Sequence, residues 1–440
     1  MSERHILVVG GGFTGLAAAW RLAQRPGARV VVCERGDHLG GLAGGFKLRG
    51  TSLERAYHHL FRTDTFILDL VRELGIEDKL QWRESSLAIY RDGRAHPFMT
   101  PLDLLRFRPV GLAGRLRLGL VALYLQRRRN WHSFARETAW RWMRRACGAD
   151  AMNAVWEPLL RGKFDRHAEH VAMAWLWARI HIRANSRDPA SGREMLGYFR
   201  GGFAVVIDRL ESALRARGVE FHFGTTVDGL SSDKGKVLAN LSGKNEVFDA
   251  CLFTGPSPTL ARLLPPGESG FARLLETVDY LGAVCLIFVT PQKLGDHYWV
   301  NVNEPDAPFL VFLRHTRLVD AADYEGREAY YLGAYRPHDH DVFKQTDDEL
   351  ADRWLAYVRR MFPQFDPASV EEKHVFRFRH AQHVVDADYE QKIPPHRTPL
   401  KGLWLANFSQ IFPEDRGTNY AVLEGLKVAD LLWNELTAQP

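Results

Sequence analysis

The sequence predicts an α/β fold in two or three sub-domains, and three observations carry that prediction. The first is the stretch ILVVGGGFTGLAAAW at 6–20, followed at 29–35 by RVVVCER: strand, glycine turn, helix, second strand. The second is length, since 440 residues exceed what one hydrophobic core usually covers. The third is a long stretch, 101–195, that reads mainly helical and parts this start from later strand-like runs.

Composition narrows the class. Hydrophobic residues at 46% and charged residues at 25% describe an ordinary globular protein and exclude low-complexity chains. Cys33, Cys147, Cys251 and Cys285 lie far apart with no C-x-x-C pair, so no metal site or redox dithiol is expected. They read as reduced, mostly buried thiols of a cytoplasmic protein. The net charge of +5 is unevenly spread: eleven arginines between Arg106 and Arg145 face a single acid, Glu137, with no lysine.

The opening run has the apolar character of an export leader, but the residues after it contradict that reading. Gly10-x-Gly12-x-x-Gly15 has dinucleotide-binding spacing, and Leu16 to Ala23 reads as a helix. Gly10 permits a tight turn, Gly12 removes a side chain that would block a pyrophosphate, and Gly15 lets helix and strand approach. The pyrophosphate then meets free N–H groups and the positive helix end, beside Phe13 and Thr14. Glu34, 19 residues beyond Gly15, stands where a carboxylate accepts from ribose hydroxyls, with Arg35 next to it. Together these define a Rossmann-type unit for NAD or FAD and disfavour NADP.

The segment ERGDHLGGLAGG, with its Gly40-Gly41 doublet and Leu42, resembles the FAD-binding superfamily of amine oxidases, protoporphyrinogen oxidases, phytoene desaturases and UDP-galactopyranose mutases. Three further segments carry the resemblance. LGYFRGGFAVVIDRLESALRARGVEFHFGTTV at 196–227 is similar to the family's Gly-Gly turn, helix, strand and the valine, here Val227, beside the adenine. FDACLFTGPSPTLARLLP at 248–265 is similar to its strand and loop over the cofactor, and GLWLANFSQIFPEDRGTNYAVLEGLKVADLL at 402–432 to its closing strand, loop and helix.

The resemblance implies a discontinuous FAD-binding domain from 1–75, 196–265 and 396–440, a mainly helical arginine-rich insertion at 76–195, and a sheet-containing α+β substrate domain at 266–395. Thr418 is expected to cap a helix starting near Asn419, with Tyr420 and Ala421 in its first turn facing the flavin's N1–C2=O edge. Asn407 stands where the family commonly has an acid, and its amide is expected to bond the ribityl or pyrophosphate region. The chain has no second GxGxxG, so electrons are expected to enter from substrate and leave to oxygen, a quinone or a protein.

For the chemistry, the strand VDYLGAVCLIF at 278–288 aligns with the amine-oxidase strand carrying a lysine at flavin N5, and Leu286 falls in that place. Simple amine oxidation is thereby disfavoured, and with no cysteine after Cys285 the FAD is expected to be non-covalent. In SLERAYHHLFRTDTF at 52–66, His58 and His59 are the candidates to bond the flavin or move a proton, with Tyr57 beside them and Tyr420 at the closing helix.

The insertion's WHSFARETAWRWMRRAC at 131–147 is expected to place Trp131, Phe134, Ala135, Thr138, Trp142 and Ala146 on one helix face and Glu137, Arg141, Arg144 and Arg145 on another. The apolar run VGLAGRLRLGLVALYL at 110–125 is shorter than the roughly 18 residues of a spanning helix and holds Arg115 and Arg117, so it can lie on a bilayer but not cross it. A solvated face, an anionic membrane surface met through 104–146, and a diphosphate-bearing substrate are the readings; no module for nucleic acid accompanies the charge. The expected protein is an FAD-dependent oxidoreductase taking hydride from an apolar or lipid-linked substrate, cytoplasmic or peripheral on the inner face of the membrane. A mutase-like non-redox flavoenzyme acting on a nucleotide or polyprenyl diphosphate sugar is the alternative, although the mutase Gly-Gly-Asn is here Gly40-Gly41-Leu42. A flavin-bound structural protein without turnover is the third reading.

Overall fold

The computed structural model describes residues 3–438. Five parallel strands form one sheet in the order Glu220–His222, Ala28–Cys33, Arg4–Val9, Ala250–Phe253, Leu403–Leu405. Their β-branched and leucine side chains are buried on both faces, which is why they read as continuous apolar runs. The chain grows outward from Arg4–Val9 on one side and resumes on the other with Ala250–Phe253, so the strand order reverses between these two. A crevice opens at such a switch point beyond the strands' carboxyl ends.

Helix Phe13–Leu22 comes directly after the first strand, and helix Thr418–Ala438 lies against it. Gly425 makes that approach possible: a Cβ there would fall 2.2 Å from Thr14 O. Asp430 completes the joint by accepting from Arg21 at 2.8 Å and pairing with Arg25 at 2.6 Å.

A seven-stranded sheet runs Glu372–His383, Tyr280–Thr290, Glu328–Arg336, Val311–Arg314, Trp299–Val302, Leu87–Arg91, Arg94–Pro97, antiparallel except where Leu87–Arg91 meets Trp299–Val302. Along Tyr280–Thr290 alternate side chains serve two cores. Val284, Leu286 and Phe288 pack under helix Asp347–Met361, which starts in a capping box between Thr346 and Glu349. Ala283, Ile287 and Val289 point the other way, into the core shared with the parallel-sheet unit.

Helices Pro101–Arg106, Leu112–Arg127, Ala139–Cys147, Glu157–Phe164 and Met173–Asn185 form a third body around Leu118, Leu125, Phe134, Met143 and Trp175. Two expectations are corrected by this body and its flanks. The stretch 76–195 is not helical throughout: Leu80–Glu84 pairs with Met195–Phe199, and Leu87–Arg91 turns into Arg94–Pro97. Asp92-Gly93, with φ of +53° and +73°, is a two-residue hairpin turn whose signal was present in the sequence. Nor is 131–147 one helix. Arg136 takes φ +60°, Thr138 accepts from Arg141 N–H at 3.3 Å as an N-cap, and the buried face is Ala139, Met143 and Cys147, leaving Trp142 and Ala146 half-buried.

Candidate functional site

The glycine turn sits at the crevice. Gly10 has φ +108°, and a Cβ on it would lie 2.5 Å from Thr254 Oγ1; a Cβ on Gly15 would lie 1.9 Å from Gly10 O. Both glycines are fixed by protein packing. Gly12 is not: its Cβ would meet only Gly41 Cα, at 3.8 Å. The doublet is pressed against this point, since Gly40 N–H donates to Gly11 O at 2.8 Å and a Cβ on Gly41 would lie 3.1 Å from Gly12 Cα. What results is a glycine-walled groove at the amino end of helix Phe13–Leu22, open where a pyrophosphate would need to approach backbone amides. Phe13 is buried edge-on against Phe203 at 6.2 Å, while Thr14 and Leu42 are half-buried.

Both oxygens of Glu34 accept backbone amides at 2.8 Å, Gly11 on one and Gly36 on the other. The acid therefore reaches the glycine turn from the end of its strand. Thr225 N–H donates to Glu34 O at 3.1 Å, which brings the segment leading to half-buried Val227 beside it; Arg35 is exposed. The residues expected around one end of the dinucleotide thus stand together.

The closing loop departs from expectation at three residues. Asn407 is buried and spent on the protein: its NH2 donates to Gly255 O at 2.7 Å and Ser257 Oγ at 3.2 Å, and its Oδ1 accepts from Ser409. It ties two loops together instead of offering an amide to a ligand. Thr418 is already helical, and Gly417 O accepts from Ala421 N–H at 3.0 Å, so the turn begins one residue earlier than expected. Asn419 faces away and caps a neighbour, accepting from Phe66 N–H at 2.9 Å and Ile67 N–H at 3.2 Å in the first turn of helix Thr65–Glu73. Tyr420 is half-buried, its hydroxyl pushed up by burial and by Glu414.

Tyr57, His58, His59 and Arg416 keep part of their surface although protein surrounds them, as side chains lining an internal hollow do. Tyr57 OH lies 3.3 Å from Tyr335 OH, and Trp299 stands edge-on to Tyr57 at 5.3 Å and to His59 at 5.8 Å. His58 Nδ1 bonds Ala56 O at 2.7 Å, and His59 Nδ1 lies 3.1 Å from Tyr298 OH. Burial pushes His58 down to about 4 and His59 to about 3, so both are neutral at physiological pH. They are hydrogen-bonding groups, and the expected role of moving a proton near neutrality does not fit them.

The lysine comparison also shifts by a residue. Leu286 faces the helix Asp347–Met361, and the inward neighbour is Cys285, whose partner Gly333 would place a Cβ 2.7 Å from the Tyr57 ring. Burial pushes the Cys285 thiol up to about 12, so it carries no thiolate. A buried lysine is nevertheless near: Lys163 Nζ lies 2.9 Å from Asp415 Oδ2 and 5.3 Å from the Tyr335 ring centre. Sequence reasoning missed Lys163, Asp415 and Arg416; the run Glu414-Asp415-Arg416 ahead of the closing helix was the available signal. It also missed Glu54, which accepts from Tyr198 OH at 2.5 Å and Phe203 N–H at 2.6 Å and is pushed up to about 7 by burial. Beside it, Tyr331 donates to Glu54 O at 2.7 Å, and His315 is buried among Tyr198, Tyr324 and Tyr331. Arg377 pairs with Asp347 at the sheet's outer side, and Arg379 is exposed.

Fold and site define an α/β protein with a glycine cradle at a parallel-sheet switch point and an aromatic cluster of Tyr57, Trp299 and Tyr335 against a mixed sheet. The chain belongs to the family described as flavin containing amine oxidoreductase, whose profile matches residues 13–432. It is 27% identical over 358 residues to coproporphyrinogen III oxidase of Propionibacterium freudenreichii subsp. freudenreichii, a match covering 67% of this chain and 65% of that one. It is 22% identical over 450 residues to 15-cis-phytoene desaturase of Glycine max, covering 91% and 74%. The crystal structure of a reduced UDP-galactopyranose mutase shares its fold, with a TM-score of 0.77 at 15% identity over 98% of this chain and 96% of that one.

Proposed function

We propose that the protein is an FAD-dependent oxidoreductase that dehydrogenates an apolar ring or polyene compound, a porphyrinogen-like tetrapyrrole being the leading class. The observation that carries the reading is the unforced Gly12: protein packing leaves space in front of it, while Gly10, Gly15, Gly40 and Gly41 around it are packed tightly against protein. Residues 12–15 would hold the pyrophosphate, Glu34 the adenosine ribose, and the first turn from Thr418 to Ala421 the flavin's pyrimidine edge. Bound there, FAD supplies a two-electron acceptor for hydride. The chain's own part is to orient and to dry the site: Tyr57, Trp299 and Tyr335 give apolar walls, and neutral His58 and His59 give fixed hydrogen-bonding groups. Four buried cysteines, with the Cys285 thiol kept protonated by burial, support binding without a cysteine link.

Support for a ring or polyene substrate comes from relatives named for coproporphyrinogen III and phytoene. The leucine-striped helix Leu112–Arg127 supports access from an anionic membrane surface. Anaerobic mixing of the FAD-loaded protein with a porphyrinogen tests the reading. Bleaching of the flavin absorbance is expected; activity on a diphosphate sugar that appears only after dithionite reduction would replace it with the mutase-like alternative.

A further inference from the structure

Around Asp415 the chain gathers more positive charge than it neutralises. Lys163 Nζ lies 2.9 Å from Asp415 Oδ2, Arg179 pairs with the same oxygen, and Trp175 Nε1 donates to Oδ1 at 3.1 Å. Asp415 is thereby saturated. The next residue, Arg416, feels that carboxylate's charge but makes no hydrogen bond to it. Among the described residues its one side-chain hydrogen bond runs from Nη2 to Tyr335 OH at 3.0 Å, and its Nε is buried with no partner. Arg179 and Arg416 are two fixed charges beside one carboxylate, and burial with Arg179 and Arg416 nearby pushes Lys163 down to about 7, in a place where the Lys163 side chain is only 9% exposed and that of Asp415 13%. A buried charge without a partner is costly, and a guanidinium edge without an acceptor is a vacant two-pronged donor.

Asp415 and Arg416 lie just ahead of helix Thr418–Ala438, and the groups around them come from the other side of the site. Lys163 comes from helix Glu157–Phe164, Arg179 from helix Met173–Asn185 and Tyr335 from strand Glu328–Arg336, all outside the parallel-sheet unit. Tyr335 joins the cluster to the hollow through its hydroxyl contact with Tyr57. The cluster stands at the margin of the space read as the substrate site, and the surrounding walls are aromatic.

We propose that Arg416, backed by Lys163 and Arg179, seats a carboxylate carried by an otherwise apolar substrate. Asp415 holds Lys163 and Arg179 in place, so that the fork of Arg416 is left for the ligand. The inference rests on the reading of the hollow as the substrate site, and it names Arg416 as the residue through which that site would select an acid over its neutral counterpart.

The full, FAD-loaded chain is titrated with coproporphyrin III and its tetramethyl ester, and separately with dodecanoate and methyl dodecanoate, following the flavin spectrum. Each acid is expected to bind about tenfold or more tighter than its ester. In Arg416→Gln that preference collapses while ester affinity stays, and Arg416→Lys keeps part of it; Lys163→Gln gives a second, smaller loss should the first variant not fold. If dodecanoate keeps its preference and neither tetrapyrrole binds, the carboxylate seat stands and the tetrapyrrole reading falls. If acid and ester bind alike, the seat is overturned, whatever the tetrapyrroles do. A shifted flavin midpoint potential in Arg416→Gln with an unchanged acid-to-ester ratio also overturns it, because the charge then serves the cofactor.

Discussion

A methyl group on Gly15 would sit 1.9 Å from Gly10 O, whereas one on Gly12 would touch only Gly41 Cα at 3.8 Å. Gly12 also has an extended backbone, φ −77° and ψ 176°, that alanine adopts freely. The two glycines of one motif thus answer to different demands. Gly15→Ala is expected to cost about 3 kcal/mol or more in folding, as overpacking against backbone does. Gly12→Ala is expected to fold within about 0.5 kcal/mol of the parent and yet fail to retain FAD. Denaturant unfolding together with flavin content separates them, and equal destabilisation by both would remove the case for the cradle. The spacing of the glycines was legible because it follows from backbone geometry alone. That Asn407 and Asn419 are spent on internal amides was not, since their partners Gly255, Ser257, Phe66 and Ile67 lie far away in the chain.

Burial also sets a pH signature. His315 is pushed down to about 3 by desolvation alone, and its Nε2 has no partner. The unfolded chain takes up a proton below pH 6.5 that the folded chain refuses, so stability is lost as pH falls from 6.5 toward 3. The contribution is at most about 1.4 kcal/mol per pH unit for such a group. Glu54 has the opposite sign: raised to about 7, it holds its proton in the fold, and its contribution fades as pH rises from the ordinary carboxyl range to 7. His315→Phe should therefore flatten the acid side of the stability curve, and parallel curves for variant and parent between about pH 6.5 and 4 would show that His315 is not held neutral.

At the scale of elements, the helix Leu112–Arg127 is apolar on two sides. Leu118 and Leu125 are buried in the helical body, while Leu112, Leu116, Leu120 and Leu123 are 64%, 54%, 67% and 47% exposed. At about 100° per residue those four leucines fall within about 80° of arc, one continuous outer stripe. Leu102 and Leu105 of the preceding helix extend it. A stripe this apolar, amid exposed arginines, suits an anionic lipid surface. Leu116→Asp with Leu120→Asp is expected to abolish sedimentation with anionic vesicles and leave the thermal midpoint within a few degrees. Retained sedimentation, or equal binding of the parent to neutral vesicles, would leave the stripe unexplained. The sequence displayed the run's length and arginines, but not that it is covered on one side only, which depends on packing against Met173–Asn185.

The molecule as a whole assembles one parallel sheet from strands at 4–9, 28–33, 220–222, 250–253 and 403–405. The chain's beginning, middle and end each carried a readable fragment of it, because parallel strands buried on both faces leave runs such as ILVV and ACLF. The mixed sheet was less legible. Leu87–Arg91 and Arg94–Pro97 join it from within a stretch read as helical; the first is buried at four consecutive residues and the second is short, so neither shows the alternation that marks a strand. The catalytic end was least legible, because Lys163, Tyr335 and Arg416 meet only when three separate bodies close on the cradle. Everything proposed for the protein depends on this closed arrangement holding FAD non-covalently. The direct measurement is the flavin released when the purified, reconstituted chain is denatured in acid. Stoichiometric FAD left free in the supernatant is expected, and a chain that takes up no FAD, or keeps it bound to the precipitate, would refute the assignment.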